Sequence, residues 1–431
     1  MLDIKYIREH ADEVKKNCER RHSKADIDEL LRVDADRLDA LREVEEIRKQ
    51  RNEIAEAMKS ATPEDRPGLI EKGKALKESL GGKEAQLAEF EQAWTGLMLQ
   101  VPNLTHPDVP EGKDDSENVE IRRVGGIRSL SNPRNHVELA HMHDLIDFER
   151  GAKVAGAKFY FLKGKLALLE QALVRFALDY LTAEGFTAMT TPDLANDTVL
   201  VGTGFQPRGP ETQIYSIENT DLSLIGTAEI GLGGYHMNEM LDESVLPIKY
   251  AGLSHCFRTE AGTYGRESYG LYRVHQFTKV EMFVYCKPDQ SDAMLAEILR
   301  HGETLFQKLG IPYRVVEICT GDFGNPHYRK YDIEAWMWGR GDGIPLRQGS
   351  GGQKGDWGEV TSASNCTDFQ ARRLNIRMKD GEEKPYVHTL NNTAIATSRA
   401  MIALLENWQN EDGSITVPPA LVEYCGFERI G

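Results

Sequence analysis

Arg258, Glu260, Arg273, Phe277, Lys279 and Glu281 sit within one short run, Cys256 to Phe283, and together could grip a flat base, a phosphate and a small zwitterion. Guanidinium and ammonium groups suit phosphate, an aromatic ring suits a base, and a carboxylate suits an ammonium or a hydroxyl. The run reads as two strands around a charged, Gly-punctuated loop. Strand alternation predicts that Arg258 and Glu260 share one face, while Phe277, Lys279 and Glu281 form another set. Any one of these residues alone is an ordinary feature of a charged hairpin. Six on one hairpin are not.

The wording Phe-Arg-Thr-Glu-Ala-Gly (257–262), followed by Val-His-Gln-Phe-Thr-Lys-Val-Glu (274–281), resembles motif 2 of the class II aminoacyl-tRNA synthetases, in the form found in the seryl-tRNA synthetase family. Two further runs agree with it. Leu222 to Glu229 places Thr227, Ala228 and Glu229 where an apolar stretch turns into a helix. By itself this is an N-cap with an acidic first turn, and it resembles the family's Thr-Ala-Glu serine site. The run from Asp356 to Arg373 contains a strand over 359–364 and a helix start at Asp368, and His388 to Gln409 reads as a strand entering a helix that carries Arg399. Arg399 resembles the arginine of motif 3.

The resemblance implies serine contacts from Thr227, Ala228, Glu229, Glu281, Asn391 and Thr393. It implies ATP contacts from Arg258, Thr259, Glu260, Val274, Phe277, Glu359, Val360, Thr361, Ser362 and Arg399, with Arg258, Glu260 and Arg399 as the catalytic set. Arg258 is expected to bridge the serine carboxylate and the α-phosphate, Glu260 to read the adenine amine, and Phe277 and Arg399 to cover the ring. Glu359 and Ser362 are expected to hold Mg²⁺ together with ATP, since hard oxygens suit that ion and it relies on substrate phosphates for further ligands. The chain has Asn392-Thr393 where many relatives have Gly-Ser, and the threonine keeps the hydroxyl. Gly226 and Gly231 stand where many relatives have Pro, which predicts a looser serine loop. The stretch 338–358 is longer and richer in Gly than the usual connection, and reads as a flexible surface loop whose length is tolerable because closure entropy grows slowly.

These residues need a scaffold, and the pattern supplies one. A helical start at 4–17 precedes a charged and apolar run from Asp26 to Lys59, a Pro-rich turn over 61–68, and a return from Leu69 to Val101. The returning limb has a seam at Leu69, Gly73, Leu76, Leu80, Lys83, Leu87, Phe90, Trp94, Leu97 and Val101, with the alternating steps of four and three of a two-stranded coil. Both limbs lie in one chain around a short tip, which predicts an antiparallel hairpin. Gly73 and the pair Gly81-Gly82 mark where it could bend. Arg42, Arg48, Lys49, Arg51, Lys72, Lys74 and Lys77 are singly a solvated face, and as a group could follow a phosphate backbone. The family resemblance implies that the arm grips the long variable arm of tRNA.

The Pro-dense stretch 102–112 marks the arm's end. Beyond it come a strand near 118–124, a short helix within 136–148, and a helix from Gly164 to Glu184 followed by a strand broken at Pro192. This last pair resembles motif 1, which implies a homodimer. The expected fold is therefore α+β: residues 1–110 form a helical tRNA-binding arm with its coiled-coil hairpin at about 27–101, residues 111–163 a linker and the start of the core, and residues 164–431 a class II catalytic domain. That domain should carry a mixed, mainly antiparallel sheet flanked by helices.

Composition fits. The chain has 431 residues and a net charge of −16, which argues against a uniformly basic coat while leaving room for a local basic stripe. Six scattered cysteines lack a Cys-x-x-Cys pair, which argues against a zinc ribbon or a disulfide framework. No apolar run approaches a membrane span and the N-terminus lacks a signal-like segment, so a cytoplasmic location is expected. The implied activity is ATP-dependent activation of L-serine and its transfer to tRNA(Ser), and to tRNA(Sec) where that tRNA exists. Relatives that load a carrier protein instead lack the arm, and a noncatalytic paralogue would be expected to lose Arg258, Glu359 or Arg399.

Overall fold

The computed structural model describes residues 1–206, 213–260, 270–341 and 355–431. Most of the Gly-rich stretch 338–358 and the middle of the hairpin loop, 261–269, lie outside the described residues. The chain forms two compact units, Met1–Leu104 and Thr105–Gly431.

In the first unit, helix α1 (Ile27–Ser60) and helix α2 (Arg66–Gln100) form the hairpin. At 34 and 35 residues each is on the order of 50 Å long. Asp26 caps α1 by accepting from the Glu29 N–H at 2.9 Å, with Asp28 and Glu29 favouring the dipole's positive end. Pro67 lies in the first turn of α2, where a missing N–H costs nothing, so the turn is shorter than the eight residues expected. Leu80 and Leu87 of the seam bury against Ala40 and Val44, with Leu41, Ile47 and Phe90 beside them. Lys83 spans the limbs to Glu43 at 2.5 Å. α2 runs unbroken through Gly81-Gly82, and a Cβ there would meet nothing within 4 Å. The short helices Ile4–Glu9 and Ala11–Arg20 close the base, packing Ile7 and Val14 with Ile27, Leu30, Met98 and Val101.

The second unit is built on eight strands: β1 (Val119–Val124), β2 (Thr187–Thr190), β3 (Ile248–Phe257), β4 (Gln276–Cys286), β5 (Tyr313–Glu317), β6 (Arg329–Met337), β7 (Asp356–Asn365) and β8 (His388–Ala396). Their order is β1-β5-β6-β7-β8-β4-β3-β2. Every neighbouring pair is antiparallel except β2 with β3, which gives the mixed, mainly antiparallel sheet expected. Among the helices that accompany it are α3 (His136–Met142), α4 (Gly164–Ala183), α5 (Ala228–Gly234), α6 (Ser291–Lys308), α7 (Phe369–Leu374) and α8 (Thr397–Asn407). Residues 111–163 contribute β1 and α3 to this unit, and Leu139, Ala140, Leu145 and Ile146 join its main core.

That core lies on one side of the sheet, where Val280, Met282 and Val284 of β4 meet Leu166, Leu169 and Leu173 of α4, Ile298 and Leu305 of α6, and Met401 and Leu405 of α8. Alternation along β4 sends Lys279 and Glu281 to the opposite side. No described helix is long and apolar enough to cross a membrane.

Candidate active site

The register collects the chemistry on the side of the sheet away from α4, α6 and α8. Gly252 and Ser254 of β3 lie opposite Glu281 and Lys279, and Cys256 opposite Phe277. Directly opposed residues share a face, so Arg258, two past Cys256, joins Phe277, Lys279 and Glu281. The two sets expected from alternation within each strand are one. Glu260 departs from the alternation, because β3 ends at Phe257 and Glu260 adopts φ 51°, the left-handed region that non-glycine residues seldom occupy.

Two bulges lie along the face, and the one in β7 extends it. Glu359 and Ser362 are three apart on β7, a spacing that a regular strand sends to opposite sides. The partners shift between Ile333↔Thr361 and Glu334↔Glu359, leaving Val360 as an extra residue and turning Glu359 to the side of Ser362, Asp332 and Glu334. In β8 the shift between Thr393↔Glu281 and Ile395↔Val280 makes Ala394 the extra residue. Asn391 and Thr393 precede that shift, opposite Phe283 and Glu281, and so share the face of Glu281.

At one end of this face, Lys279 Nζ lies 2.5 Å from Glu281 Oε2, and the Thr393 hydroxyl donates to the same oxygen at 3.2 Å. Both carboxylate and hydroxyl are buried. Thr227 caps α5 by accepting from the Glu229 N–H at 3.2 Å, which places Glu229 in the first turn. Burial pushes the Glu229 carboxyl up to about 7, with the nearby Glu281 adding to the rise and Gln370, Lys279 and Asn391 opposing it. Glu229 is half-buried by area, so its carboxyl remains within reach of solvent or a ligand. Ala228 is fully buried against β3, so its side chain packs in the fold and does not face the site.

Gln370 was not among the expected site residues. From α7 its amide donates to Glu229 Oε1 at 2.8 Å and to Thr203 O at 3.0 Å, while its carbonyl accepts from the Thr389 hydroxyl at 2.7 Å. This fixes both the rotamer of Gln370 and the aim of Glu229. The only sequence signal was a polar residue between Phe369 and Ala371 at the start of an expected helix.

At the other end, the Arg258 guanidinium lies 5.2 Å from the Phe277 ring centre, and its Nε donates to Gly226 O at 3.3 Å. A Cβ at Gly226 would sit 3.5 Å from Phe257 O, ordinary contact. Glu260 meets Arg273 at 3.5 Å. Thr259 N–H donates to Gln213 O at 3.0 Å. Arg399 donates from Nη1 to Glu359 O at 3.0 Å, pairs with Glu359 Oε2 at 3.2 Å, and lies 4.5 Å from the centre of Tyr272. Tyr272, also unforeseen, therefore carries Arg399, while Phe277 carries Arg258. Val274, Val360 and Thr361 are buried, Val274 and Val360 within the sheet–helix core and Thr361 on the face toward α6, so their side chains point away from the site.

Burial by itself raises the Glu359 carboxyl, but the charges of Arg399, Lys330 and Arg258 outweigh it and hold the group below the ordinary range. Burial raises neighbouring Asp332, opposed by Lys330 and reinforced by Glu359. Asp332 Oδ1 is buried without a hydrogen-bond partner among the described residues. The described residues contain no group of three His, Cys, Asp or Glu placed to hold a metal by themselves. Glu359, Ser362 and the unpartnered Asp332 oxygen instead make a partial, hard-oxygen set, which fits a divalent cation whose other ligands come from phosphate.

The model of the "tRNA synthetase class II core domain (G, H, P, S and T)" matches residues 213–408, and that of the "Seryl-tRNA synthetase N-terminal domain" matches residues 1–105. The serine–tRNA ligase of Rubrobacter xylanophilus is 55% identical over 100% of this chain and 99% of its own. That of Treponema denticola is 51% identical, with 100% of both chains covered. Among solved structures, seryl-tRNA synthetase from Pyrococcus horikoshii complexed with ATP superposes with a TM-score of 0.88 at 42% identity, covering 100% of this chain and 99% of that one.

Proposed function

The chain belongs to the seryl-tRNA synthetase family, ligases that charge tRNA with serine, and from that premise we propose how its one-sided cluster divides the work. In the first step a serine carboxylate oxygen bonds to the α-phosphorus of ATP as the bond to the β-phosphate bridge breaks, giving seryl-adenylate and pyrophosphate. In the second, the terminal ribose hydroxyl of tRNA(Ser) adds to the seryl carbonyl and AMP leaves. Both steps need placement and charge balance rather than a protein nucleophile.

Glu229 and Glu281 take the serine ammonium and hydroxyl, with Thr227, Asn391 and Thr393 completing the pocket. A buried acceptor left without the serine hydroxyl penalises alanine, which is how such a site discriminates. Arg258 bridges the reacting carboxylate and α-phosphate. Phe277 and Arg399 cover the adenine, and Glu260 reads its amine. Glu359 and Ser362 would hold Mg²⁺, which when bound would supply charge neutralisation to the phosphates. The observation that carries the assignment is the register with its bulge at Val360, which sets Arg258, Glu281, Glu359, Ser362 and Thr393 on one face. Replacing Arg258 by Ala should abolish serine-dependent pyrophosphate exchange, and normal exchange in that variant would remove the assignment.

The same reading includes the arm, residues 1–110, as the tRNA-binding domain and 164–431 as the catalytic domain, with tRNA(Sec) as a second acceptor where it exists. It places the protein in the cytoplasm as a homodimer joined through α4 and β2. Exposed Leu168 on α4 and Phe161 just before it support the dimer, and a fully active monomer in sedimentation would contradict it.

A further inference from the structure

Glu406, at the far end of α8 from Arg399, is completely buried and yet makes three hydrogen bonds to segments outside its own helix. Its Oε1 accepts from the His136 backbone N–H at 2.8 Å and contacts His136 Nδ1 at 2.8 Å, and its Oε2 accepts from the Gly339 N–H at 2.8 Å. His136, equally buried, uses its other ring nitrogen to accept the Leu271 N–H at 3.1 Å. Because Nε2 must be the acceptor there, the proton is on Nδ1 and is donated to Glu406. The approach is close: a Cβ at Gly270 would lie 2.5 Å from His136 Nε2, and Gly270 has φ 99°.

Each segment held this way ends in a residue that packs on the nucleotide side of the site. Leu271 precedes Tyr272, whose ring lies 4.5 Å from the Arg399 guanidinium and whose carbonyl accepts from Arg399 Nε at 3.4 Å. Gly339 precedes Arg340, whose guanidinium lies 4.2 Å from the same ring. Arg399 and Glu406 are seven residues apart, two turns on one side of α8. A closed loop therefore runs from Arg399 through Tyr272, Leu271, His136 and Glu406 back along the helix. A misplacement near 1 Å at a reacting group is costly, so a rigid frame around Arg399 matters for rate.

We propose that His136 and Glu406 are positioning residues of the nucleotide subsite, a buried pair that fixes Tyr272 and Arg340 against Arg399. The proposal rests on the reading that Arg399 contacts ATP. Asn at 136 reaches the Nδ1 position and keeps the bond to Glu406, but leaves Leu271 without its acceptor. Gln reaches the Nε2 position and restores that acceptor.

The test is pyrophosphate exchange by the full chain, with Arg399→Ala run in parallel. For His136→Asn we expect the KM for ATP to rise about 10-fold while the KM for serine stays within about 2-fold, and for His136→Gln to recover most of the loss. A merely structural role would move both KM values together or neither, and either result overturns the proposal. If His136→Asn does not fold, Tyr272→Leu reads the same link from a half-buried position: the same split supports the proposal, and an unchanged KM for ATP overturns it. Normal exchange by Arg399→Ala would instead bring down the reading beneath it.

Discussion

Thr393 and Glu281 face each other directly across β8 and β4, with the Thr393 hydroxyl donating to Glu281 Oε2 at 3.2 Å while Lys279 holds the same oxygen from the other side. The carboxylate is thus aimed before any ligand arrives. Its second oxygen is the one left for a serine hydroxyl or ammonium.

Thr393→Val keeps the shape and removes the donor. A lost hydrogen bond to a buried carboxylate is worth about 1.5–3 kcal/mol, so the KM for serine should rise roughly 10-fold or more with the KM for ATP unchanged. Steady-state exchange kinetics with each substrate varied in turn checks this.

Glu229 gives serine affinity a pH dependence. Its folded value is pushed up to about 7 by burial, above the ordinary carboxylate value of about 4.3. Between those values the unfolded chain has already lost the proton that the folded chain keeps, so this group's contribution to stability falls as pH rises through the window. A bound ammonium favours the ionised form, so serine binding releases a proton below about pH 7 and tightens as pH rises through it. Calorimetric titration with serine in buffers of different ionisation enthalpy should detect that proton, and Glu229→Gln should remove it and flatten the stability decline.

Glu359 stays ionised across the same range, because Arg399, Lys330 and Arg258 outweigh the effect of its burial. Glu359→Gln should raise the Mg²⁺ concentration needed for half-maximal exchange and lower kcat by about 100-fold, the scale of losing one charge-stabilising group. Titration of exchange against Mg²⁺ measures both.

On the arm, Arg42 pairs with Asp39 and Arg48 with Glu84, whereas Lys49, Arg51, Lys72, Lys74 and Lys77 make no ion pair among the described residues. Lys72→Ala with Lys74→Ala should weaken kcat/KM for tRNA, reduce the slope of log affinity against log salt by about one for each phosphate no longer neutralised, and leave pyrophosphate exchange unchanged. Charging measured over a salt series separates the two steps.

The parts legible in the sequence were those written in local periodicity or in one contiguous run. The α2 seam shows this: Leu69, Gly73, Leu76, Leu80, Leu87, Phe90, Trp94 and Leu97 are all sheltered, while Ile70, off the seam, is 62% exposed. Motif 2 and motif 3 likewise fall on the strands and helix expected. Pairing was not legible. The bulge at Val360 decides which side Glu359 faces, and nothing in strict alternation announces an extra residue; the register of β8 on β4 decides that Thr393 meets Glu281. Gln370 reaches Glu229 across 141 residues, and His136 reaches Glu406 across 270. Such partners meet only through the topology of the sheet, so a buried Gln or His reads locally as a polar residue in an apolar helix.

The most direct measurement is charging of purified tRNA(Ser) by the full chain with radiolabelled serine, beside alanine and threonine, in the presence of ATP and Mg²⁺. Serine should be transferred and alanine and threonine should not, with Arg258→Ala reducing serine transfer to background. Failure to transfer serine to tRNA, or equal transfer of alanine, would contradict the assignment.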